Sequence, residues 1–332
     1  MKLARFAVGL AAGLALTVSA AWAETTTLRI TLQLPLKSHL GENLSLFKQK
    51  LEEISKGEIA VEIYDSAQLY KDNEVPQAVG SGSIEMGVAS LTRYVGDVPA
   101  VDVFYMPFLL NSEELVRKAV APGSPVRGPL DEAILETGAR VVWWQAYGGS
   151  VLLSNGGPIK TPADVVGKKV RVFGKTLGEW IKAAGGAPTL VSGSEQYIAY
   201  QRGTVDVGMT GVSGVKSRRL WEVMDTITVT NNADIEFIVV VNEQFWQGLS
   251  DQKRAWITEA ALFAENDVRD RMTKIETEAY DAARENGMTV YELSDAEVAA
   301  WMEAAQPVYD QFLADSGDLG AKVLTAARAL GN

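Results

Sequence analysis

No cysteine occurs in the 332 residues, which excludes a disulfide framework and any thiolate metal site. Histidine is nearly as scarce. His39 stands alone, so histidine-based catalytic triads, HExxH zinc sites and multi-histidine metal centres are excluded as well. There is no GxSxG nucleophile elbow. Phe173-Gly174-Lys175-Thr176 has the end of a phosphate loop but carries Lys169 where the motif needs glycine. Neither a cofactor nor a metal is expected. Asp and Glu remain plentiful, which leaves a carboxylate acid–base pair open.

Long apolar runs are missing too, apart from one at the very start. Lys2 and Arg5 precede the apolar stretch from Phe6 to Val18, and Ala21-Trp22-Ala23 has the small-x-small pattern of a signal-peptidase site. Residues 1–23 therefore read as a cleaved signal peptide, with Glu24 the first mature residue. Nothing later approaches the roughly 20 uninterrupted apolar residues of a spanning helix, so a periplasmic protein is expected. Positive charge is also in deficit. The formal net charge is −11, and a leader holding Lys2 and Arg5 but no acid leaves the mature chain more negative still. Such a surface repels nucleic acid and anionic lipid, so an anionic ligand would have to be held by local donors rather than long-range attraction.

What is present alternates between short strand-like runs and amphipathic helices. Leu28 to Gln33 reads as a strand; Leu40, Leu44, Phe47, Leu51 and Ile54 then repeat at helical spacing up to Gly57. Ile59, Val61 and Ile63 alternate as a strand, Val75 to Val79 forms a short helix, and Ile84 to Ala89 is a further strand. A second α/β set begins with a strand at Arg140 to Trp144, followed by a possible turn or crossover at Gly148-Gly149. Thr161-Pro162 marks a helix start. Strands at Lys169 to Val172 and Asp206 to Thr210 enclose helices at Leu177 to Ala184 and Ser194 to Arg202. The almost wholly apolar Ile235 to Val241 reads as a strand buried on both faces. Two successive units of this kind predict two lobes built on mixed, mostly parallel sheets flanked by helices. Asp251 to Asn286 contains no Gly or Pro and reads as one helix of roughly 50 Å or as two with an unmarked break. A short strand at Thr289 to Leu293 precedes Ser294 and Glu297, a capping box for a further helix. Of Trp143 and Trp144, one is expected in the core and the other at a rim.

One segment carries a specific pattern. Pro158-Ile159-Lys160-Thr161-Pro162-Ala163-Asp164, followed by Gly167-Lys168-Lys169-Val170-Arg171-Val172, resembles the PIKTPxDLxGxKxR signature of solute-binding proteins of tripartite ATP-independent periplasmic (TRAP) transporters, the DctP family. Supporting matches lie at Asp65 to Leu69, Gly82 to Ala89, Met106 to Leu109, Ser194 to Tyr197 with Ala199, Gln201 with Gly203 to Asp206, and Val241-Asn242 with Phe245-Trp246. They keep their order across nearly the whole mature chain.

The resemblance implies a non-catalytic Venus-flytrap receptor for a small organic acid, with separate membrane subunits as partners. It places lobe I at 24–147 plus about 233–260 and lobe II at 148–232 plus about 261–290. The 251–286 helix would span both, and 291–332 would pack on the lobes. Arg171, the arginine that ends the signature, becomes the carboxylate anchor. Its charged planar fork suits that role, and the alternative for such a residue is a structural ion pair with a neighbouring acid. Arg93, Ser90, Thr210, Asn232 and Asp234 fall on segments the family directs into the cleft. His39, beside Ser38 at the start of the first helix, is a cap position or a ligand contact. Ser150 falls in the segment where sialic-acid binders carry a further arginine, and Thr210 where many members carry asparagine. Both departures imply a ligand with fewer polar groups than a sugar acid. A sensory binding protein and a carboxylate-dependent enzyme on the same fold are the alternatives.

Overall fold

Alternation in the first strand buries Leu28 and Ile30, and from that strand the chain builds outward. The computed structural model describes residues 25–331; the signal-peptide expectation lies outside them. The first lobe contains β1 (Thr26–Thr31), α1 (His39–Ile54), β2 (Ile59–Tyr64), α2 (Val75–Gly80), β3 (Met86–Ser90), α3 (Glu113–Val120) and α4 (Arg127–Leu135). Ser38 caps α1 by accepting from Gly41 N at 3.2 Å. One helical stripe, Leu40, Leu44, Phe47 and Leu51, is fully buried.

β4 (Ala139–Ser154) then leads into the second lobe. This lobe contains β5 (Lys169–Val172), α5 (Lys175–Ala183), β6 (Ala187–Leu190), α6 (Gln196–Gln201), β7 (Gly208–Gly211) and α7 (Val212–Ser217). The return is β8 (Thr226–Asn242), followed by α8 (Glu243–Gly248), α9 (Asp251–Glu285), β9 (Thr289–Glu292), α10 (Asp295–Glu303) and α11 (Gln306–Ala329). The main sheet runs β2-β1-β3-β8-β4-β7, with β9 beside β8, while β5 and β6 form a separate pair. Pairings β1–β2, β1–β3, β5–β6 and β8–β9 are parallel. The long β4–β8 ladder is antiparallel and passes through both lobes. Its register shifts three times between Val141 and Val151, and such bulges bend and re-aim a strand pair. Gly148 and Gly149 are thus part of the crossing strand rather than a turn.

The 251–286 pattern forms one unbroken helix. Along α9, Asn43 Nδ2 of α1 donates to Ala264 O at 2.6 Å, Gly149 N to Glu276 Oε1 at 2.7 Å, and Lys216 of α7 pairs with Glu278 at 2.9 Å. One rod therefore touches both lobes and the strands between them. Both tryptophans of β4 belong to the core, each 0 % exposed: Trp143 donates to Asn43 Oδ1 and Trp144 to Asp131 Oδ1. A capping box at Ser294 and Glu297 opens α10. Trp301 packs against Trp180 of α5 with tilted rings, centroids 4.8 Å apart, while Tyr309 of α11 donates to Pro107 O at 2.9 Å. The C-terminal helices thereby grip both lobes. Among the described residues no helix is long and apolar enough to cross a membrane.

Candidate functional site

Between the lobes, polar side chains of several separated segments converge on aromatic and aliphatic walls from the crossing strands. Arg171 enters from β5. Its backbone N–H is tied to Val207 O at 2.7 Å, and its side chain is only 2 % exposed. Nε and Nη2 donate to Val191 O at 3.0 and 2.8 Å, and Nη1 donates to Met209 O. Gln196, with its amide oxygen turned toward the guanidinium, accepts from the same group. The guanidinium lies over the Phe173 ring, 5.6 Å from its centroid. No Asp or Glu among the described residues pairs with it. Burial, and after it the like charges of Arg218 and Arg93, push its pKa down to about 10.

Facing it from the first lobe is a neutralised arginine. Asp72 accepts from Arg93 Nε, and from the amide and hydroxyl of Ser90, each at 2.9 Å. Gln33 Oε1 accepts from Ser192 Oγ at 3.2 Å and so bridges the lobes. Arg218, just past α7, reaches in beside Arg171. It donates to Gly193 O at 2.9 Å, the Tyr147 hydroxyl at 3.0 Å and Thr210 Oγ1 at 3.1 Å. Ile235 and Phe237 of β8 and Tyr147 of β4 complete the lining. The free space between these side chains is about 20 Å³, room for about one water molecule and too little for an organic acid.

Two glycines leave room for the side chains of this lining. A Cβ at Gly214 would lie 2.1 Å from Arg218 Nη2, and one at Gly193 would lie 2.9 Å from Gln33 Oε1.

Over residues 32–316 the chain matches the family described as bacterial extracellular solute-binding protein, family 7, or DctP. The C4-dicarboxylate-binding periplasmic protein DctP of Rhodobacter capsulatus is 30 % identical over 294 residues, 87 % of this chain and 86 % of that one. The chain belongs to the DctP family.

Two solved TRAP periplasmic solute-binding proteins share the fold. One, from a Sulfitobacter species with bound β-D-galacturonate, superposes with a TM-score of 0.86 at 22 % identity, over 92 % of this chain and all of that one. The other, from Sulfurospirillum deleyianum with bound succinate, gives 0.85 at 24 % identity, over 93 % and 99 %. As a DctP-family member the chain is a binding protein rather than an enzyme.

Of the residues singled out in the sequence, this DctP-family cleft brings together Arg171, Arg93, Ser90 and Thr210. The other four do not line the cavity. Asn232 and Asp234 were expected on a loop; they lie instead within β8, Asn232 in a bulge where residues 230–233 have no partner on β4 and Asp234 opposite Gly149. Side chains alternate along a strand, so with Ile235 and Phe237 facing the cavity, Asp234 turns with Glu236 toward α9, where Glu236 pairs with Arg269 at 2.7 Å. Burial, then the nearby Glu236, Glu276 and Glu113, hold the Asp234 carboxyl well above the usual range. Asn232 is fully buried, its oxygen accepting from Thr230 Oγ1 at 2.6 Å. Ser150 is sealed within β4 where that strand pairs with Gly211.

His39 lies behind Tyr147, rings 5.2 Å apart, with Nε2 3.1 Å from Ala146 O. It lines a different hollow of about 310 Å³ between the start of α1, α7 and α9. The cavity also contains Arg218, Tyr147 and Gln33, none of which the sequence singled out as ligand contacts. The only local trace of Arg218 is a basic run, Lys216-Ser217-Arg218-Arg219, which reads equally well as a solvated face.

Proposed function

We propose that this protein is the periplasmic receptor of a TRAP transporter, capturing a small organic carboxylate through Arg171 and delivering it to the membrane permease subunits. The observation that carries the proposal is the buried Arg171 guanidinium between the lobes, satisfied only by neutral oxygens. Carbonyls saturate N–H groups but leave the charge uncompensated, and a buried charge without a counter-ion is costly. A ligand carboxylate would supply the missing partner in the planar, two-bond geometry that a guanidinium favours. The relative named for C4-dicarboxylate and the neighbours holding galacturonate and succinate all point to organic acids.

Closure would follow from the lobe assignment, 24–147 plus about 233–260 against 148–232 plus about 261–290. Opening on the β4–β8 strands admits ligand, and closing removes water from the ion pair, which strengthens as the local dielectric falls. The leading contacts are Arg171 and Thr210 on one side and Arg93 and Ser90 on the other.

The test uses mature protein freed of co-purified ligand by unfolding and refolding. A thermal-shift panel of carboxylates selects a binder, and calorimetry then compares variants. Arg171→Ala is expected to weaken binding by about 2–5 kcal/mol. Arg171→Lys should also bind poorly, since a point charge does not reproduce the fork. Unchanged affinity in either variant would remove Arg171 from the site.

A further inference from the structure

The helix that follows the anchor strand has no cap of its own. α5 begins after Gly174, which has no side chain to take up the free N–H groups of the first turn. The acceptor comes from the other lobe instead. Asp102, in the 3-10 segment Pro99–Tyr105 of the first lobe, accepts from Thr176 N at 3.2 Å through Oδ2 and from Thr92 Oγ1 at 2.8 Å through Oδ1. Thr176 is the second residue of α5, one of the two positions whose N–H an N-cap side chain ordinarily satisfies. A carboxylate there also meets the positive end of the helix dipole. Asp102, Thr92 and Thr176 are all buried.

The glycine at 174 belongs to the same arrangement. Its backbone is extended, with φ −150°, a conformation open to any residue. What excludes a side chain is the opposite lobe, because a Cβ would lie 2.6 Å from Thr92 Oγ1. Close by, Tyr105 of the first lobe meets Phe173 of the second edge to face, with ring centroids 5.7 Å apart. Phe173 and Arg171 on one side, and Ser90 and Arg93 on the other, line the cleft cavity, whereas Asp102, Thr92, Gly174 and Thr176 do not. Burial holds the Asp102 carboxyl above the usual carboxylate range. Of the groups that offset this, Thr92 belongs to its own lobe, while Thr176 and Lys175 belong to the other.

Resting on the reading of the protein as a receptor that closes around a carboxylate, we infer that Asp102 is a closure latch, a positioning residue that caps α5 across the gap and slows ligand release without touching ligand. Parting the lobes takes the acceptor away from the first turn of α5, so the closed arrangement holds a hydrogen bond that the open one lacks. Ligand enters with the lobes apart. An interaction made only after closure therefore acts on the dissociation rate and leaves the association rate alone.

The probe is succinate, or whichever carboxylate of the thermal-shift panel binds more tightly. Stopped-flow tryptophan fluorescence on the refolded mature protein compares wild type with Asp102→Ala and Gly174→Ala. Asp102→Ala is expected to raise the dissociation rate about 5- to 10-fold, the usual worth of a helix cap, and to change the association rate less than twofold. Gly174→Ala keeps Asp102 but wedges a methyl group against Thr92 from the second lobe, and it should raise the same rate. The inference is overturned if dissociation keeps its wild-type rate in Asp102→Ala, or if association slows by as much as dissociation quickens, which is the mark of general damage to the site. Should Asp102→Ala not fold, as judged by near-ultraviolet circular dichroism, Gly174→Ala decides by the same two criteria. If no carboxylate binds the wild-type protein, the receptor reading fails and the latch with it; tight wild-type binding with unmoved rates in the variants removes the latch alone.

Discussion

A side chain's surroundings, more than its type, decide what it does here, and the single histidine illustrates this. His39 sits under the Tyr147 ring with one nitrogen against Ala146 O, and burial, with Arg271 a lesser contributor, pushes its pKa from 6.5 down to about 4. Above pH 6.5 the ring is neutral in folded and unfolded chains alike and adds no pH dependence. Below that, the unfolded chain takes up a proton that the folded chain refuses until about pH 4, so stability declines through this window. The full effect is about 3 kcal/mol. His39→Gln can still donate to Ala146 O but does not titrate. Urea unfolding at pH 7 and pH 4 should therefore show the wild type losing about 3 kcal/mol more than the variant; equal losses would mean the ring is not held neutral. The same dependence on surroundings explains which site residues could be read from sequence. That Arg171, Arg93, Ser90 and Thr210 line one cavity was legible because the family pattern fixes their places in or just after strands. Asn232 and Asp234 were misplaced because polar residues before an apolar run look like a loop. Arg218 was invisible, since only the tertiary fold carries a residue past α7 back to the segments that hold Arg171.

Elements were more legible where burial imposes a period. The stripe of α1, the alternation of β2, the length of α9 and the capping box of α10 all follow from the order of apolar and polar residues. The length of β8 did not, because Thr226 to Val229 pairs with β4 through backbone groups that any residue supplies, and a bulge separates it from the apolar run. Nor did the bend in β4, which depends on a local conformation. Gly148 has φ +98°, and a Cβ there would lie 2.5 Å from Glu276 Oε1 and 2.8 Å from Met272 Cε. An alanine would meet both the strained backbone and the α9 side chains that lock the crossing strands. Gly148→Ala should destabilise the protein by about 2–3 kcal/mol in urea titration, and a change below about 0.5 kcal/mol would show that the bulge tolerates a side chain.

At the scale of the whole molecule, ligand affinity includes the free energy of bringing the lobes together, so contacts between lobes that never touch ligand still affect binding. Beside the cleft, Lys71 of the first lobe and Glu195 of the second meet at 2.8 Å, each about half exposed. An exposed pair contributes little to stability and is screened by salt. Its place across the gap nevertheless means that it exists only when the lobes meet. Reversing one charge, Lys71→Glu, sets two acids face to face in the closed arrangement and leaves the open one nearly untouched. Ligand affinity should drop about twofold to fivefold at low ionic strength, the drop shrinking by 0.5 M salt, where the screening length is only a few ångströms. The double reversal Lys71→Glu with Glu195→Lys should restore most of the loss. Calorimetry on the three proteins at two salt concentrations measures this coupling directly. If the single reversal has no effect at low salt, or the double reversal restores nothing, the pair does not report lobe closure and the energy of closing lies in the buried contacts around Gln33, Ser192 and Asp102.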